Sequence, residues 1–341
     1  MTANILLICG SLNQTTMMHR ISEHLSGCRC YFTPFYATGL LGAFSKIGLL
    51  DFSILGGKHL KATQAYLAAH NLSVDYGGKA REYDAVITCT DLIVPGNIRG
   101  RRLILVQEGI TEPEDFSFTL VRRLKLPRFI ANTAATGLSD AYDFFCVASP
   151  GYRDFFVRKG VRRDKIVVTG IPNFDNARTF LANDFPEKHY VLVATSSVRE
   201  TGKWDNRAQF LEKVGQIAGD RPLIFKLHPN ENARRARREI EAVFPQANIY
   251  TEGNTNAMIA NCDVLITQYS SVVYVGLALG KEVYSNFDVA ELRRLMPIQN
   301  EGRSAQRIAE VCKQVVRTSL RHLRRPEARR RLSRKWRFSD G

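Results

Sequence analysis

Two polar segments in the C-terminal half of the sequence carry residue types that bind phosphate groups. Lys226-Leu227-His228-Pro229 follows one predicted buried strand, and Gln268-Tyr269-Ser270-Ser271 follows another. Ligands of open parallel sheets bind outside the carboxyl ends of the strands, so both segments are expected to meet at one pocket. His228 can donate a hydrogen bond, and Ser270 and Ser271 lie where a predicted helix starts with free backbone N–H groups. The sequence therefore predicts a phosphate site here, with a structural histidine and a plain helix cap as the alternatives.

Four further residues of this half are candidate ligands for the same compound. Lys226 ends the first of these strands, and Arg199 and Lys203 lie in a polar loop that follows the predicted strand at 190–195. Cations in such a loop would supply charge for a second phosphate contact. Glu252 follows another predicted strand end, where a carboxylate can accept hydrogen bonds from ribose hydroxyls. An ordinary surface position is the alternative for each loop residue.

A carboxylate in the N-terminal half is the candidate general base. Glu108 and the preceding Gln107 directly follow a predicted buried strand at 103–106. A carboxylate in this position can accept the proton of an acceptor hydroxyl, or it can simply cap the next element. Gly10 and Ser11 follow the first predicted strand and form either a tight turn with a helix cap or part of the acceptor site.

These motifs resemble those of a known group of enzymes. The His-Pro pair at 228–229 and the Ser-Ser pair at 270–271 are similar to motifs of cytidine-nucleotide-dependent transferases with the GT-B fold. That group includes the CDP-glycerol glycerophosphotransferases and the bacterial sialyl- and Kdo-transferases, which hold the donor phosphates with these motifs. Gln107-Glu108-Gly109 is similar to the acid-acid-Gly motif of the sialyltransferases, whose second acid is the general base. Gln268 departs from the glycerophosphotransferase pattern, which more often has Asp there.

The resemblance implies an α/β protein of the GT-B-like class, with two Rossmann-like, doubly wound domains that face a central cleft. It also implies an enzyme that transfers a sugar or polyol-phosphate group from a cytidine-type nucleotide donor to a hydroxyl acceptor. The acceptor would be a glycan or lipid-linked compound of surface polysaccharide synthesis. Glu108 would be the base, and His228, Ser270 and Ser271 would bind the donor phosphates. Catalytic roles thus fall to Glu108 and His228, without a cofactor and, since no DxD-type motif stands in the expected place, without a metal.

Two other functions remain open. The last predicted N-domain strand and the Gly/Pro-rich crossover that continues it, together at 165–173, give a more distant likeness to UDP-N-acetylglucosamine 2-epimerases. Such an epimerase, or a UDP-sugar transferase of the same fold, is one alternative. The other is a non-catalytic protein that binds a nucleotide or a polyanion.

Length and composition agree with a two-domain protein that works in a reducing compartment. The 341 residues exceed a typical single domain, and 45% of them are hydrophobic, which is enough for two cores. Seven scattered cysteines do not form a disulfide framework. We expect an N-terminal acceptor domain at 1–172, a linker at 173–188, a C-terminal donor domain at 189–316 and a basic tail at 317–341. No apolar run approaches a membrane span, so a cytoplasmic protein is expected.

Two basic segments bear on a membrane partner. The segment from Arg317 to Arg337 carries ten Lys or Arg residues, one acid and Trp336, and the whole chain has a net charge of +15. This tail is predicted to sit on the anionic inner face of a membrane, with Trp336 at headgroup level and a solvated tail as the alternative. Nucleic acid is not expected, since no nucleic-acid module accompanies the charge. Phe116 to Leu126 is interpreted as a solvated basic helix, with an acceptor loop or membrane-facing helix as the alternatives.

Overall fold

The computed structural model describes residues 2–39, 42, 56–111, 114, 116–124, 126–196, 199–201 and 205–336. The chain forms two compact units. Met1–Asp175 and Asn300–Gly341 make up the first, and Asn176–Gln299 makes up the second.

The first unit is built on a six-stranded parallel sheet with the order β2-β1-β3-β4-β5-β6. Its strands are β1 Ala3–Cys9, β2 Cys28–Pro34, β3 Ala85–Thr88, β4 Leu103–Val106, β5 Phe144–Val147 and β6 Ile166–Val168. Strands β3, β4 and β5 are buried along their whole length, as expected for apolar runs covered on both faces by helices. From β1 the chain goes to β2 on one side and to β3 on the other, so the sheet has its switch point at the ends of β1 and β3.

Helices connect these strands, and further helices of the first unit follow the second unit in the sequence. Those of the first unit are α1 Leu12–Glu23, α2 Gly57–Ala69, α3 Phe116–Leu124, α4 Pro150–Lys159, α10 Ser304–Arg317, α11 Leu320–Leu323 and α12 Pro326–Lys335. Short 3-10 segments lie at Gly96–Ile98, Arg128–Ala135 and Arg163–Lys165. The side chain of Ser11 caps α1 by accepting a hydrogen bond from the backbone N–H of Gln14.

The second unit has a five-stranded parallel sheet with the order β11-β10-β7-β8-β9. Its strands are β7 Val191–Ala194, β8 Leu223–Lys226, β9 Asn248–Tyr250, β10 Val264–Thr267 and β11 Glu282–Tyr284. Its helices are α5 Arg207–Ala218, α6 Ala233–Glu241, α7 Thr255–Asn261, α8 Val273–Ala278 and α9 Val289–Leu295, with 3-10 segments at Ala177–Leu181 and Arg199–Thr201. The switch point lies between β7 and β10. Both sheets are doubly wound, which confirms the predicted α/β class.

A close contact fixes the helix that follows β10. Gly276 of α8 faces β10, and a Cβ atom there would lie 2.7 Å from Leu265 Cδ2. Because real Cβ atoms do not approach that closely, glycine allows α8 to lie directly on the strand. The position of the Ser-Ser turn between β10 and α8 follows from this contact.

The C-terminal segment folds onto the first unit. Residues 300–341 belong to that unit, where α10 packs against α1. The backbone N–H of Ser304, at the start of α10, donates a hydrogen bond to Asp175 Oδ2 over 2.9 Å. The second domain predicted as 189–316 is therefore too long at its C-terminal end, while the chain passes between the units inside the predicted linker 173–188.

The basic segment is folded up to Trp336 and does not form the free tail that was predicted. Ala328, Leu332 and Trp336 are buried, and the Trp336 ring packs edge-on against Phe144 with 5.0 Å between ring centroids. Helical residues four apart share a face, so these three turn inward while most of the arginines between them stay exposed. The prediction that Trp336 sits at a lipid headgroup level is therefore wrong. Across the described ranges, no helix combines the length and the apolar character that crossing a membrane requires.

Replacing Trp336 should destabilise the first unit. We expect Trp336→Ala to cost about 3 kcal/mol of unfolding free energy, because it leaves a cavity against Phe144. Arg331→Ala, at an exposed position of the same helix, is the control and should change stability by less than about 0.5 kcal/mol. Urea denaturation of both variants measures the difference. Equal stabilities would show that the segment is not part of the folded unit.

Candidate functional site

In the second unit, two hydroxyl side chains directly after β7 accept hydrogen bonds from both predicted phosphate motifs. The backbone N–H of His228 donates to Thr195 Oγ1 over 3.0 Å. The backbone N–H of Tyr269 donates to Ser196 Oγ over 3.3 Å. Since Thr195 and Ser196 are consecutive, the His-Pro loop and the Ser-Ser loop are both anchored at the carboxyl end of the central strand. This is the convergence that the sequence predicted, at the switch point of the sheet.

One hydrogen bond at the His228 ring indicates its tautomer. The backbone N–H of Asn230 donates to His228 Nδ1 over 3.1 Å. A neutral imidazole that accepts at Nδ1 carries its hydrogen on Nε2. His228 is half-buried, and the turn behind it is closed by a hydrogen bond from the Glu231 N–H to the His228 carbonyl. His228 can therefore act as a hydrogen-bond donor through Nε2.

Ser270 and Ser271 form the turn before α8. The helix begins at Val273, one residue after the start at Val272 that the apolar pattern predicts, and is six residues long. Ser270 Oγ accepts a hydrogen bond of 3.4 Å from the N–H of Val272, and the Ser271 carbonyl accepts one of 3.1 Å from the N–H of Tyr274. Both serines are half-buried. Their hydroxyl hydrogens can still be donated to a ligand, because accepting a bond does not use the O–H group.

A buried ion pair lies behind the His-Pro loop. The side chain of Glu231 is fully buried and accepts a hydrogen bond of 2.5 Å from Thr195 Oγ1. Its other oxygen is paired with Arg207, which is also buried. A charge taken out of water must be paired and hydrogen-bonded, so Thr195 is held in one orientation by this carboxylate. Sequence reasoning missed Thr195, Glu231 and Arg207, because only the fold brings residues so far apart in the chain together.

The predicted phosphate ligand Arg199 has acidic partners of its own. Its guanidinium group makes two hydrogen bonds to Glu239, of 2.9 and 2.7 Å, and lies 3.5 Å from Asp205. The hydrogen bonds to Glu239 raise the pKa of Arg199. This geometry favours a structural role for Arg199 in the second unit. The other predicted loop cation, Lys203, lies outside the described residues.

Lys226 is also engaged within the protein. Its ammonium group is buried and donates hydrogen bonds to the carbonyls of Leu227 and Thr251, of 2.9 and 3.0 Å. Burial lowers the pKa of Lys226, and the nearby charge of Glu252 opposes that shift. Lys226 therefore joins the ends of β8 and β9. Glu252 is exposed beside this junction, where the assigned contact with a ribose stays a prediction.

A cavity of about 620 Å³ adjoins the end of β10 in the second unit. Its polar lining combines amides with charged groups: Asp205, Asn206, Gln209, Glu212, Lys213, Gln216, Gln268, Tyr269 and Asn286. Gln268 Nε2 donates to Asp205 Oδ1 over 2.7 Å, and no described residue donates to the buried Gln268 Oε1. An Asp at position 268 would lack the N–H group that makes this hydrogen bond to Asp205. Amides both donate and accept, which suits hydroxyl groups or a nucleobase.

The first unit contains a second polar cluster around Glu108. Ser11 Oγ donates to Glu108 Oε1 over 2.9 Å, and Gln14 Nε2 donates to Glu108 Oε2 over 2.5 Å. The predicted residues Ser11 and Glu108 therefore lie together, joined by Gln14, which the sequence did not single out. Gly10 contributes its carbonyl, which accepts a hydrogen bond of 2.9 Å from Thr63 Oγ1. Gly10 therefore helps to join the end of β1 to α2.

Gln107 supports the loop that carries Glu108. Its side chain is buried, accepts a hydrogen bond of 2.9 Å from the Ala148 N–H and donates one of 2.8 Å to the Gly109 carbonyl. These bonds connect the ends of β4 and β5.

In the described ranges, no group of three or more His, Cys, Asp or Glu side chains is arranged to hold a metal ion.

Comparison with known proteins agrees with the motifs. Residues 125–281 match the family model "CDP-Glycerol:Poly(glycerophosphate) glycerophosphotransferase". The matched range contains both the His-Pro and the Ser-Ser motif, so the predicted resemblance is confirmed. This match supports a transferase function for the chain. A search of curated protein sequences finds no significant relative.

Solved structures share the fold at low sequence identity. A UDP-GlcNAc 2-epimerase from Neisseria meningitidis bound to UDP-GlcNAc has a TM-score of 0.56 and 10% identity, over 91% of this chain and 100% of that one. The S. aureus MnaA–UDP complex has a TM-score of 0.57 and 10% identity, over 97% and 91%. A variant of the wall teichoic acid polymerase TagF has a TM-score of 0.50 and 12% identity, over 94% and 90%. These similarities confirm the GT-B-like fold class.

A pair of Thr→Val variants tests the anchor of the His-Pro loop. Thr195→Val keeps the shape but removes the bonds to Glu231 and to the His228 N–H, and should cost about 1–3 kcal/mol of unfolding free energy. Thr267→Val is the matched control, since the buried Thr267 hydroxyl has no hydrogen-bond partner among the described residues, and should be neutral or stabilising. Equal effects in urea denaturation would contradict the anchoring role.

Proposed function

We propose that this protein is a transferase that moves a glycerol phosphate, or a related sugar or polyol-phosphate group, from a cytidine nucleotide donor to a hydroxyl acceptor. One observation carries the proposal: Thr195 and Ser196 anchor the His-Pro loop and the Ser-Ser loop at a single strand end. Both loops lie in the range that matches the glycerophosphotransferase family model.

The second unit is the proposed donor site. His228 would donate from Nε2, and Ser270 and Ser271 from their hydroxyls, to the phosphate oxygens of the donor. Donors fixed before the reaction stabilise the negative charge that grows on the departing nucleotide. This is the role of a metal ion in many other transferases, so we propose that transfer proceeds without one. The polar cavity beside Gln268 is then the proposed position of the nucleobase or of the polyol.

The first unit supplies the proposed base. Glu108 is held by hydrogen bonds from Ser11 and Gln14, and each carboxylate oxygen has a further lone pair to accept a proton. The acceptor hydroxyl would pass its proton to Glu108 while its oxygen forms a bond to the terminal phosphorus of the donor. The bond from that phosphorus to the bridging oxygen breaks, and the nucleoside monophosphate leaves with the electron pair. Ser11 and Gln14 would position the carboxylate.

A UDP-N-acetylglucosamine 2-epimerase is the second candidate. The observation in its favour is the fold similarity to an epimerase that is bound to UDP-GlcNAc. A UDP-sugar transferase and a non-catalytic nucleotide-binding protein share the same architecture. The substrates that are turned over distinguish these functions from the proposed one.

Turnover of CDP-glycerol tests the proposal. With a poly(glycerophosphate) primer, the wild type should release CMP in the presence of EDTA. Glu108→Gln should lower kcat by about 100-fold or more, because general-base catalysis contributes about 10²–10⁴. Glu23→Gln, at an exposed acid on α1, is the control and should keep full activity. CMP release that is unaffected by Glu108→Gln would remove Glu108 as the base, and isomerisation of UDP-GlcNAc without CMP release would establish the epimerase.

A further inference from the structure

The proposed donor has to cross the sheet of the second unit. Its phosphates would lie between the His-Pro loop, which follows β8, and the Ser-Ser loop, which follows β10, and β7 runs between these two strands. Phosphates join the nucleoside of such a donor to the group that is transferred, so the two ends extend to opposite sides of the phosphate site. Glu252, the predicted ribose contact, follows β9 on the far side of β8. The transferred group is therefore expected on the side of β10 and β11.

The polar cavity beside Gln268 lies on that side of the sheet. It is bordered by α5 and by residues that closely follow β10 and β11. The side chain of Gln268 donates to Asp205 Oδ1. Its backbone carbonyl accepts hydrogen bonds from Ser285 Oγ over 2.9 Å and from the N–H of Asn286 over 3.2 Å. A ligand that binds here meets a surface that is already ordered, so less conformational freedom is lost on binding.

Amide side chains make up half of the ten described residues that line the cavity. The α5 side consists of exposed polar residues three or four apart, which share one face of the helix: Gln209, Glu212, Lys213 and Gln216. Amides both donate and accept, so a group of them matches the neighbouring hydroxyls of a sugar or polyol. Tyr269 is 51% exposed and packs edge-on against Phe287, and its ring adds apolar surface for the C–H groups of such a compound.

Two other classes of ligand fit this lining poorly. A further phosphate group needs cations, whereas the cavity has two acids, Asp205 and Glu212, against one cation, Lys213. A lipid chain needs apolar walls, and among the described lining residues Phe210 is the one side chain without a polar atom. The lining therefore suits an uncharged group that carries several hydroxyls.

The size of the cavity sets a lower limit on the group that fills it. The cavity volume is about 620 Å³. If each non-hydrogen atom takes the share of a water molecule in the liquid, ~30 Å³, glycerol fills roughly 180 Å³ and a hexose roughly 360 Å³. Glycerol would thus leave most of the cavity empty, whereas a hexose or a polyol of similar length would reach the amides on both sides.

We propose that this cavity holds the transferred group, and that this group is a hexose or a polyol of similar size rather than glycerol. The inference rests on the proposed function and names the substrate class of the same site. Gln209 and Asn286 are the specificity-determining residues, because their exposed amides border the cavity from two different elements. Glycerol would still be bound through its phosphate, but with fewer of these contacts.

Titration calorimetry of the full chain without an acceptor tests the cavity with CDP, CDP-glycerol and CDP-glucose. CDP-glucose should bind about tenfold or more tighter than CDP and than CDP-glycerol, the effect of one or two additional hydrogen bonds. Gln209→Leu with Asn286→Leu should remove this gain and leave the affinity for CDP within about twofold. Gln246→Leu with Asn248→Leu, at exposed amides of the second unit outside the cavity, is the matched control and should keep the gain.

The same titrations with UDP and UDP-glucose separate this inference from the proposed function. CDP binding without a gain for CDP-glucose, or a gain that survives in the Gln209 and Asn286 double variant, would overturn the inference and leave the cytidine donor in place. Binding of uridine compounds alone would overturn the cytidine donor, and a tenfold gain of UDP-glucose over UDP that the double variant loses would still support the cavity. If no nucleotide binds, both proposals fail.

Discussion

The hydroxyl group of Thr195 is the contact on which the second unit's site depends. It donates to the buried carboxylate of Glu231 and accepts the backbone N–H of His228. Glu231 cannot turn to water, because its side chain is fully buried and paired with Arg207. The orientation of the hydroxyl, and with it the start of the His-Pro loop, is therefore set by electrostatics inside the unit before any ligand arrives.

The first unit uses the same arrangement at the switch point of its own sheet. Ser11 follows β1 as Thr195 follows β7, and each strand lies at the switch point of its sheet. In both units a hydroxyl at that point bonds a carboxylate: Ser11 to Glu108 and Thr195 to Glu231. The two carboxylates differ in burial, since Glu108 is half-buried and Glu231 is buried. That difference leaves Glu108 accessible, as the proposed base requires, whereas Glu231 is enclosed and supports a loop.

Local patterns in the sequence are sufficient to predict the strands and the two motifs. The roles of individual polar side chains depend on hydrogen-bond partners that are distant in the chain. Apolar runs such as 103–106 are sufficient to predict a buried strand. Arg199 and Lys226 looked like free phosphate ligands because nothing nearby in the sequence shows that Glu239 and the Thr251 carbonyl accept their hydrogen bonds.

The C-terminal basic segment shows the same limit. Its arginines dominate the composition, and the stripe of Ala328, Leu332 and Trp336 that turns inward is visible only when the residues are placed on a helix. Composition indicated a tail, whereas the spacing of four indicates a helix that packs.

Nucleotide binding at the His-Pro loop is the most direct test of the account. Thermal stability of the wild type, His228→Ala and the exposed control His189→Ala would be measured with CMP, CDP, UMP and UDP. At a hundred times its dissociation constant, CMP or CDP should add about 2.7 kcal/mol to the wild type and to His189→Ala, and nothing to His228→Ala. Stabilisation by uridine nucleotides alone, or an equal effect of CMP on His228→Ala, would contradict it.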